Sequence, residues 1–511
     1  MRILYIDIDS QRPDHFGCYG YLRNTSPTID AIAAEGLRCT GVYTSDAPCL
    51  PSRTAFYSGR FGIQTGVVGH GGTAAEPKRE GKYRGFRDRF DTEGFARQLQ
   101  DAGFHTAMIS PFGQRHAAHW FYAGFNEIHN TGLGGMESAE HVMPVVTKWF
   151  DAKAADDNWY LHVNFWDPHT PYRVPAAYGE PFADAPLPEH LNDESLIKRH
   201  MAKAGPHSAQ DLGMYGEANT ARHPRQVERI TDIASMRKWI NGYDTAVRYV
   251  DDQIKWMVDR LKALGIYDDT AIIISADHGE NQGELGIYGE HGTADHGTCN
   301  IPMIVKWPGG KAGAVDHGLH YNVDWAPTVM DLLGRQKRDI WDGRSYADLI
   351  RKGAPGDAKR DDIIISQGCH VSQRSVRWDE PASGTSGGGK RWLYMRTYHD
   401  GFHLFPQEML FDLAADPHEQ HDLASELPGV CREGAWRLMR WHDEQMQKMA
   451  INASDSVDPL WTVFREGGPM HAMHDPGRSP LPKYLAHLEA TGRADGAKAL
   501  REKYGRFIES K

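Results

Sequence analysis

The sequence lacks any apolar run long enough to span a membrane as a helix, so no membrane partner is expected. It also lacks the pattern of a secretory leader. Met1-Arg2-Ile3-Leu4-Tyr5-Ile6-Asp7 reaches an acid within a few positions, with no long apolar region and no small-residue cleavage site. Cysteine is sparse: six residues (Cys18, Cys39, Cys49, Cys299, Cys369 and Cys431) are scattered without paired spacing. That argues against a disulfide framework and, with the missing leader, predicts a reduced, cytoplasmic protein. Positive charge is not in excess either. Lys and Arg total 57 against 68 Asp and Glu, a formal net charge of −11. No global electrostatic argument therefore favours nucleic acid or acidic membranes, and an anionic substrate would need a local cluster of cations or a metal. Internal repeats and low-complexity segments are absent too.

The 511 residues suffice for one large core and a second, smaller domain. Apolar runs at 3–7, 105–110, 159–166, 270–276 and 301–307 read as buried strands. Segments 27–36, 95–103 and 243–265 read as helices, the last with Val247, Val250, Ile254, Met257, Val258 and Leu261 at helical spacing before Gly265. This alternation predicts an α/β fold, a large mixed and mostly parallel sheet sandwiched by helices, with ligands beyond the carboxyl ends of the strands. Segment 178–230 reads as a long surface insertion that shapes a binding site together with 111–130. A composition break at 351–361 separates a catalytic unit, 1–360, from a small α+β unit, 361–450. Within the latter, 362–366, 391–398 and 408–413 read as strands, 433–450 as a helix and 383–389 as a loop tip; 451–511 reads as a polar tail ending in a helix.

The most informative residues are Cys49-Leu50-Pro51-Ser52-Arg53-Thr54-Ala55-Phe56-Tyr57-Ser58-Gly59-Arg60. Cys49 stands at a predicted helix start, where free N–H groups and the helix dipole favour developing negative charge. Arg53 falls one turn along on the same face, placed to hold an anionic oxygen. Two apolar strands end in acid: Ile6-Asp7-Ile8-Asp9-Ser10 and Ile274-Ser275-Ala276-Asp277-His278-Gly279. Each alone reads as a turn cap; together they could converge on one cation. Asp167-Pro168-His169-Thr170 follows the strand at 159–166. His70, His119, His162 and His296 read as structural or peripheral, and His471 and His474 as solvated tail residues.

The run CLPSRTAFYSGR resembles the sulfatase signature C-x-P-S-R-x-x-x-x-[ST]-G-[RK] at every fixed position. Segments 3–20, 270–308, 322–334 and 410–424 resemble other landmarks of the same formylglycine-dependent sulfatase family, in the alkaline-phosphatase superfamily, over roughly residues 1–450. The resemblance implies an alkaline-phosphatase-like fold and oxidation of Cys49 to formylglycine by a maturation enzyme. It implies a metal held by Asp9, Ser10, Asp277 and His278, usually Ca²⁺, with Mg²⁺ and Mn²⁺ as alternatives. It also implies hydrolysis of a sulfate monoester, with Arg53 holding charge and His169 or His291 protonating the leaving alcohol. The chain departs from the family pattern in three places. Ser10 stands where an aspartate is common, with Asp7, two residues before Asp9 on the same strand face, placed to compensate. Arg115 and His116 occupy the region of an absent G-K-W-H segment and are expected to bind substrate. His291 replaces a lysine. The expected substrate is a small sulfated carbohydrate, and a homo-oligomer stays open. A phosphonate monoester or phosphodiester hydrolase of the same superfamily is one rival, and a non-catalytic binding protein with unmodified Cys49 is the other.

Overall fold

A computed structural model describes residues 1–78, 89–354, 359–381, 389–452, 456–472 and 477–507. Among these residues two sheets form. Their strands are β1 (Arg2–Ile8), β2 (Leu37–Tyr43), β3 (Asp46–Ala47), β4 (His105–Ile109), β5 (Glu127–His129), β6 (Trp159–Phe165), β7 (Thr270–Ser275), β8 (Met303–Lys306), β9 (Ala314–Tyr321), β10 (Asp362–Gln367), β11 (Ser372–Glu380), β12 (Lys390–His399) and β13 (Glu408–Asp412).

The larger sheet has the order β5-β4-β6-β1-β7-β8-β2-β9. Only β8 opposes its neighbours, pairing antiparallel with both β7 and β2, so the sheet is mixed and mostly parallel as the alternation predicts. β1 lies between β6 and β7 with Asp7 opposite Asn164 and Ser275. Every residue of β1, β6 and β7 is buried, which explains their continuous apolar runs: a central parallel strand has no solvent face.

Helices α1 (Pro27–Ala34), α2 (Cys49–Ser58), α3 (Ala139–Lys153), α4 (Ile233–Ala263) and α5 (Trp325–Leu332) cover this sheet. Leu4, Ile6 and Ile8 of β1 pack with Ile29 of α1, Val146 of α3 and Val247 of α4. Ile3 and Tyr5, pointing the other way, pack with Leu50 and Phe56 of α2 and Trp325 of α5. α4 starts ten residues before the predicted segment, at Ile233. Its start is polar rather than periodic: Asp232 accepts the Ser235 N–H at 2.8 Å and the Ser235 hydroxyl in turn accepts the Asp232 N–H, a capping box.

The smaller sheet has the order β13-β12-β11-β10-β3. Its outer member comes from the other end of the chain: β3 pairs in parallel with β10, Asp46 opposite Ser366 and Ala47 opposite Gln367. The sheet is covered by α6 (Pro428–Asn452), through contacts such as Leu438 near Trp378 and Tyr394.

The segment predicted as a polar tail folds back. α7 (Pro459–Arg465) lays Leu460 and Val463 on Val68 and Ala74. α8 (Leu481–Ala490) and α9 (Ala494–Tyr504) bury Leu481, Tyr484, Leu488 and Leu500 with Phe402. The expected surface insertion is correspondingly not all surface: buried Asp211 accepts hydrogen bonds from Tyr484 and Arg493, each at 2.8 Å. Short amphipathic helices surrounded by charged residues hid this packing in the composition. The loop tip at 383–389, except its last residue, and His474 lie outside the described residues, as do 355–358 within the composition break.

Candidate active site

β1 and β7 run side by side in parallel, so the residues just beyond their carboxyl ends emerge together. Asp9 and Ser10 leave β1, and Asp277 and His278 leave β7. The N-terminus of α2 comes down onto them from β3. Cys49 is its first residue, with Sγ 3.1 Å from His278 Nε2. The Ser52 hydroxyl donates to the Asp277 carbonyl at 2.6 Å, pinning the first turn of α2 to the end of β7. The carboxylate oxygens of Asp9 and Asp277, Cys49 Sγ and a His278 nitrogen all lie within 4.8 Å of one another, fully buried.

Arg53 sits one turn into α2, as its spacing predicts, and its guanidinium spans three carboxylates. Nε donates to Asp7 Oδ2 at 2.9 Å and Nη1 to Asp277 Oδ2 at 2.6 Å, while Nη2 lies 3.0 Å from Asp9 Oδ2. Phe112 covers the opposite face of the guanidinium at 4.3 Å. Ser10 adopts a positive φ of 60°, donates its N–H to Asp277 Oδ1 and its hydroxyl to Asp9 Oδ1 at 3.1 Å, and so ties the two strand ends together. Asp7 faces His162 Nε2 at 3.3 Å in addition to Arg53, and its Oδ1 is buried without a partner.

The electrostatics follow from three buried carboxylates sharing one guanidinium. Burial alone would raise Asp9, but Arg53 and the imidazoles of His169, His278 and His291 outweigh it and hold Asp9 ionised. Asp277 goes the other way. Burial pushes its carboxyl well up, and Asp9 and Asp7 add to the push against Arg53. Negative charge in the pocket is thus under-compensated by the protein's own cations. His278 is fixed for ligation as well. Its Nδ1–H donates to the Gly279 carbonyl at 2.8 Å, which leaves the Nε2 lone pair facing the carboxylates. This donor set fits a divalent cation held by Asp9, Asp277 and His278. The Cys49 thiol is pushed well up by burial and then by Asp9 and Asp277, against Arg53, so a thiolate is disfavoured here.

His169 and His291 both reach the cluster. His169 Nε2 lies 4.0 Å from Asp9 Oδ1, while its Nδ1 donates to the Thr170 carbonyl. His291 stacks on His278, ring centroids 4.4 Å apart and planes 16° from parallel, and its edge meets His169 at 4.9 Å. Arg115 and His116 lie at the rim. Arg115 is exposed, over Trp166 at 5.0 Å; His116 is half-buried between Phe112 and His70, each 4.7 Å away, and burial lowers its imidazole to about 3.

Several nearby residues were not singled out by their sequence. Glu290 Oε2 lies 2.8 Å from His207 Nε2 and 3.4 Å from His370 Nδ1, and the imidazoles hold Glu290 ionised despite its burial. His471, expected in a solvated tail, stacks on His370 at 4.1 Å because the chain after α7 folds over the site. His70, read as peripheral, accepts the Leu50 N–H at 3.3 Å in the first turn of α2. It also lines a cavity of about 390 Å³ with Gly69, Gly368, Val463, Glu466 and Met470. A larger cleft of about 480 Å³, over Tyr321, Trp341 and Arg440, holds none of these groups. The chemistry therefore points to the smaller one. The adjacent pairs Glu290-His291 and Cys369-His370 were the only local signals.

A strand-end acid cluster against a helix-start cysteine, on a mostly parallel sheet, brings a nucleophile-bearing residue and oxygen ligands to one point beyond the carboxyl ends of the strands. A family model described as Sulfatase matches residues 2–335, and the chain belongs to that family and is an enzyme of that kind. A choline-sulfatase of Rhizobium meliloti is 24% identical over 506 residues, covering 90% of each chain. Two solved structures share the fold at 18% identity and a TM-score of 0.66. A protein in complex with its substrate D-glucosamine-2-N,6-O-disulfate covers 87% of this chain and 97% of its own. A phosphonate monoester hydrolase of Agrobacterium radiobacter covers 87% and 96%. Among the described residues, no helix is long and apolar enough to cross a membrane.

Proposed function

We propose that the protein hydrolyses the sulfate monoester of a small sulfated carbohydrate, with formylglycine made from Cys49 as the nucleophilic group. The observation that carries this reading is the setting of Cys49. It begins α2 among buried carboxylates that oppose a thiolate, beside a donor set suited to a cation. Hydrated formylglycine would supply the oxygen nucleophile and a bound divalent cation would draw charge from the sulfate oxygens. Ca²⁺ suits the carboxylates, and Mg²⁺ or Mn²⁺ could substitute.

The chain's own residues have distinct tasks in this reading. Asp9, Asp277 and His278 hold the cation, and Ser10 keeps the two strand ends in register. Arg53 balances the carboxylates and presents fixed positive charge to the reacting group. The leaving oxygen needs a proton. His169 has committed its Nδ1–H to Thr170, so it can donate from Nε2 only when doubly protonated, which burial opposes and Asp9 only partly offsets. Burial lowers His291 as well, but its Nδ1 has no hydrogen-bond partner, so its neutral ring is free to present an Nε2–H, and His291 is the donor we favour. The cavity beside His70, Gly368 and Met470 offers room for the leaving group, with His116 packed against His70 and Arg115 next to it in the chain. A maturation enzyme is the required protein partner.

Peptide mass measurement on the tryptic fragment 39–53 tests the nucleophile. Protein made beside a maturation enzyme should carry the aldehyde, seen as a loss of mass at position 49, and should release sulfate from sulfated sugars. An intact cysteine in that protein refutes the reading and leaves a binding role. The likeness to a phosphonate monoester hydrolase supports one other activity on the same site. Rates on matched aryl sulfate and phosphonate or phosphodiester substrates decide between them.

A further inference from the structure

His291 links the proposed catalytic pocket to a second cluster. One face of its ring stacks on His278. Its Nδ1 lies 3.7 Å from Glu290 Oε1 and is buried without a hydrogen-bond partner. Glu290 turns its other oxygen toward His370 Nδ1 at 3.4 Å. A carboxylate oxygen of Glu290 and one ring nitrogen each of His291 and His370 lie within 4.8 Å of one another, all three residues buried. His207 Nε2, 2.8 Å from Glu290 Oε2, fixes the carboxylate from outside this triangle. An acidic cluster would suit a hard cation; this set is one oxygen and two imidazole nitrogens. That composition suits a borderline transition-metal dication such as Zn²⁺ or Co²⁺ over Ca²⁺.

We propose that Glu290, His291 and His370 form a second metal site, separate from the Asp9–Asp277–His278 pocket, that takes a transition-metal dication. Two adjacent sites then differ in preference: carboxylates dominate the first and imidazoles the second. Ligation through Nδ1 has a consequence for His291, because it places the ring proton on Nε2. An imidazole held in that tautomer offers an Nε2–H hydrogen bond at neutral pH without becoming a cation. This consequence, unlike the site itself, rests on the hydrolase reading above.

The test uses the full-length Cys49→Ala protein, which removes the thiol as a competing ligand and makes the readout independent of catalysis. The protein is stripped with chelator, saturated with Ca²⁺ and titrated with Co²⁺, with visible absorption and bound-metal analysis as readouts. One equivalent of Co²⁺ should bind with ligand-field bands, be displaced by Zn²⁺ and resist excess Ca²⁺. Adding His370→Ala or Glu290→Gln should weaken binding about tenfold or more, whereas Asp277→Asn should leave it in place. The proposal is overturned if no Co²⁺ binds above background. It is equally overturned if Asp277→Asn abolishes binding while His370→Ala, folded by circular dichroism, does not. The latter result would put the ion in the carboxylate pocket. A fault in the hydrolase reading would appear instead as an unmodified Cys49 or absent sulfate release, neither of which this titration measures.

Discussion

Arg53→Met should expose how much of the site is held by one side chain. The guanidinium contacts Asp7, Asp9 and Asp277 at 2.6–3.0 Å, and all four groups are buried. Removing one partner of a buried ion pair costs about 3–5 kcal/mol, because the remaining charge loses its compensation without regaining water. Here Asp7 and Asp9, both held ionised, lose their partner at once and Asp277 loses a hydrogen bond, so the expected loss is at the upper end, about 5 kcal/mol at neutral pH in chelator. A cation bound among the same carboxylates offsets part of that, about 2.7 kcal/mol when present at a hundred times its dissociation constant. Denaturant unfolding of wild type and variant, in chelator and in excess Ca²⁺, reads both effects. The variant should be strongly destabilised in chelator and should gain more from Ca²⁺ than wild type does. In matured protein kcat for sulfate release should fall about 10²–10³-fold, the scale of losing a preorganised donor at a developing charge. Arg53→Lys should recover stability only in part, since a point charge cannot span three acceptors. An Arg53→Met protein with wild-type stability in chelator refutes the reasoning, since the carboxylates would then not need the guanidinium.

His291→Ala should slow esters of poorly acidic alcohols far more than aryl sulfates such as p-nitrophenyl sulfate, whose leaving group needs no proton; equal losses on both would remove His291 from the proton role. Asp46, whose carboxyl is raised to about 7 by burial, gives a pH test. The unfolded chain ionises Asp46 near 4, so its contribution to stability is most favourable below that pH and declines as pH rises toward 7, by up to about 4 kcal/mol. Asp46→Asn has no such titration, and the stability difference between wild type and variant should therefore shift in the variant's favour from pH 4 to pH 8. Asp211→Ala strands the Arg493 guanidinium, whose side chain is 3% exposed, and should cost about 3–5 kcal/mol and loosen α8 and α9 to proteolysis. Unchanged resistance would mean that the apolar contacts alone hold the tail.

The sheet was legible because its central strands are buried on both faces and so write continuous apolar runs, as 3–7 and 270–276 do. The outer strands β2 and β9 were not, because partly exposed strands such as Leu37–Tyr43 mix polar with apolar residues. Cys49, Arg53, Asp9, Asp277 and His278 were legible for a local reason, each lying in a motif or at the end of such a run, and the structure gathers all of them. Glu290, His207, His370 and His471 come from segments far apart in the chain, and beyond the adjacent pairs Glu290-His291 and Cys369-His370 nothing in their own surroundings marks them. Only tertiary packing brings them together. The tail was misjudged for a related reason: Tyr484, Leu488 and Leu500 are few among many charges, yet they suffice to dock short helices that also gain Asp211 and Arg493.

The pairing of β3 with β10 carries a timing requirement. Asp46 and Ala47 are the last strand residues before Cys49, and their partners Ser366 and Gln367 are made more than three hundred residues later. Cys49 itself is 0% exposed in the finished fold. An enzyme that oxidises this thiol cannot reach it in the finished fold. Under the proposed oxidation of Cys49, the window for modification would therefore be the nascent or still-unfolded chain, when CLPSR is an accessible linear peptide. Protein folded without the oxidising enzyme would stay trapped with its cysteine intact, and adding that enzyme afterwards would not repair it unless the chain were first unfolded.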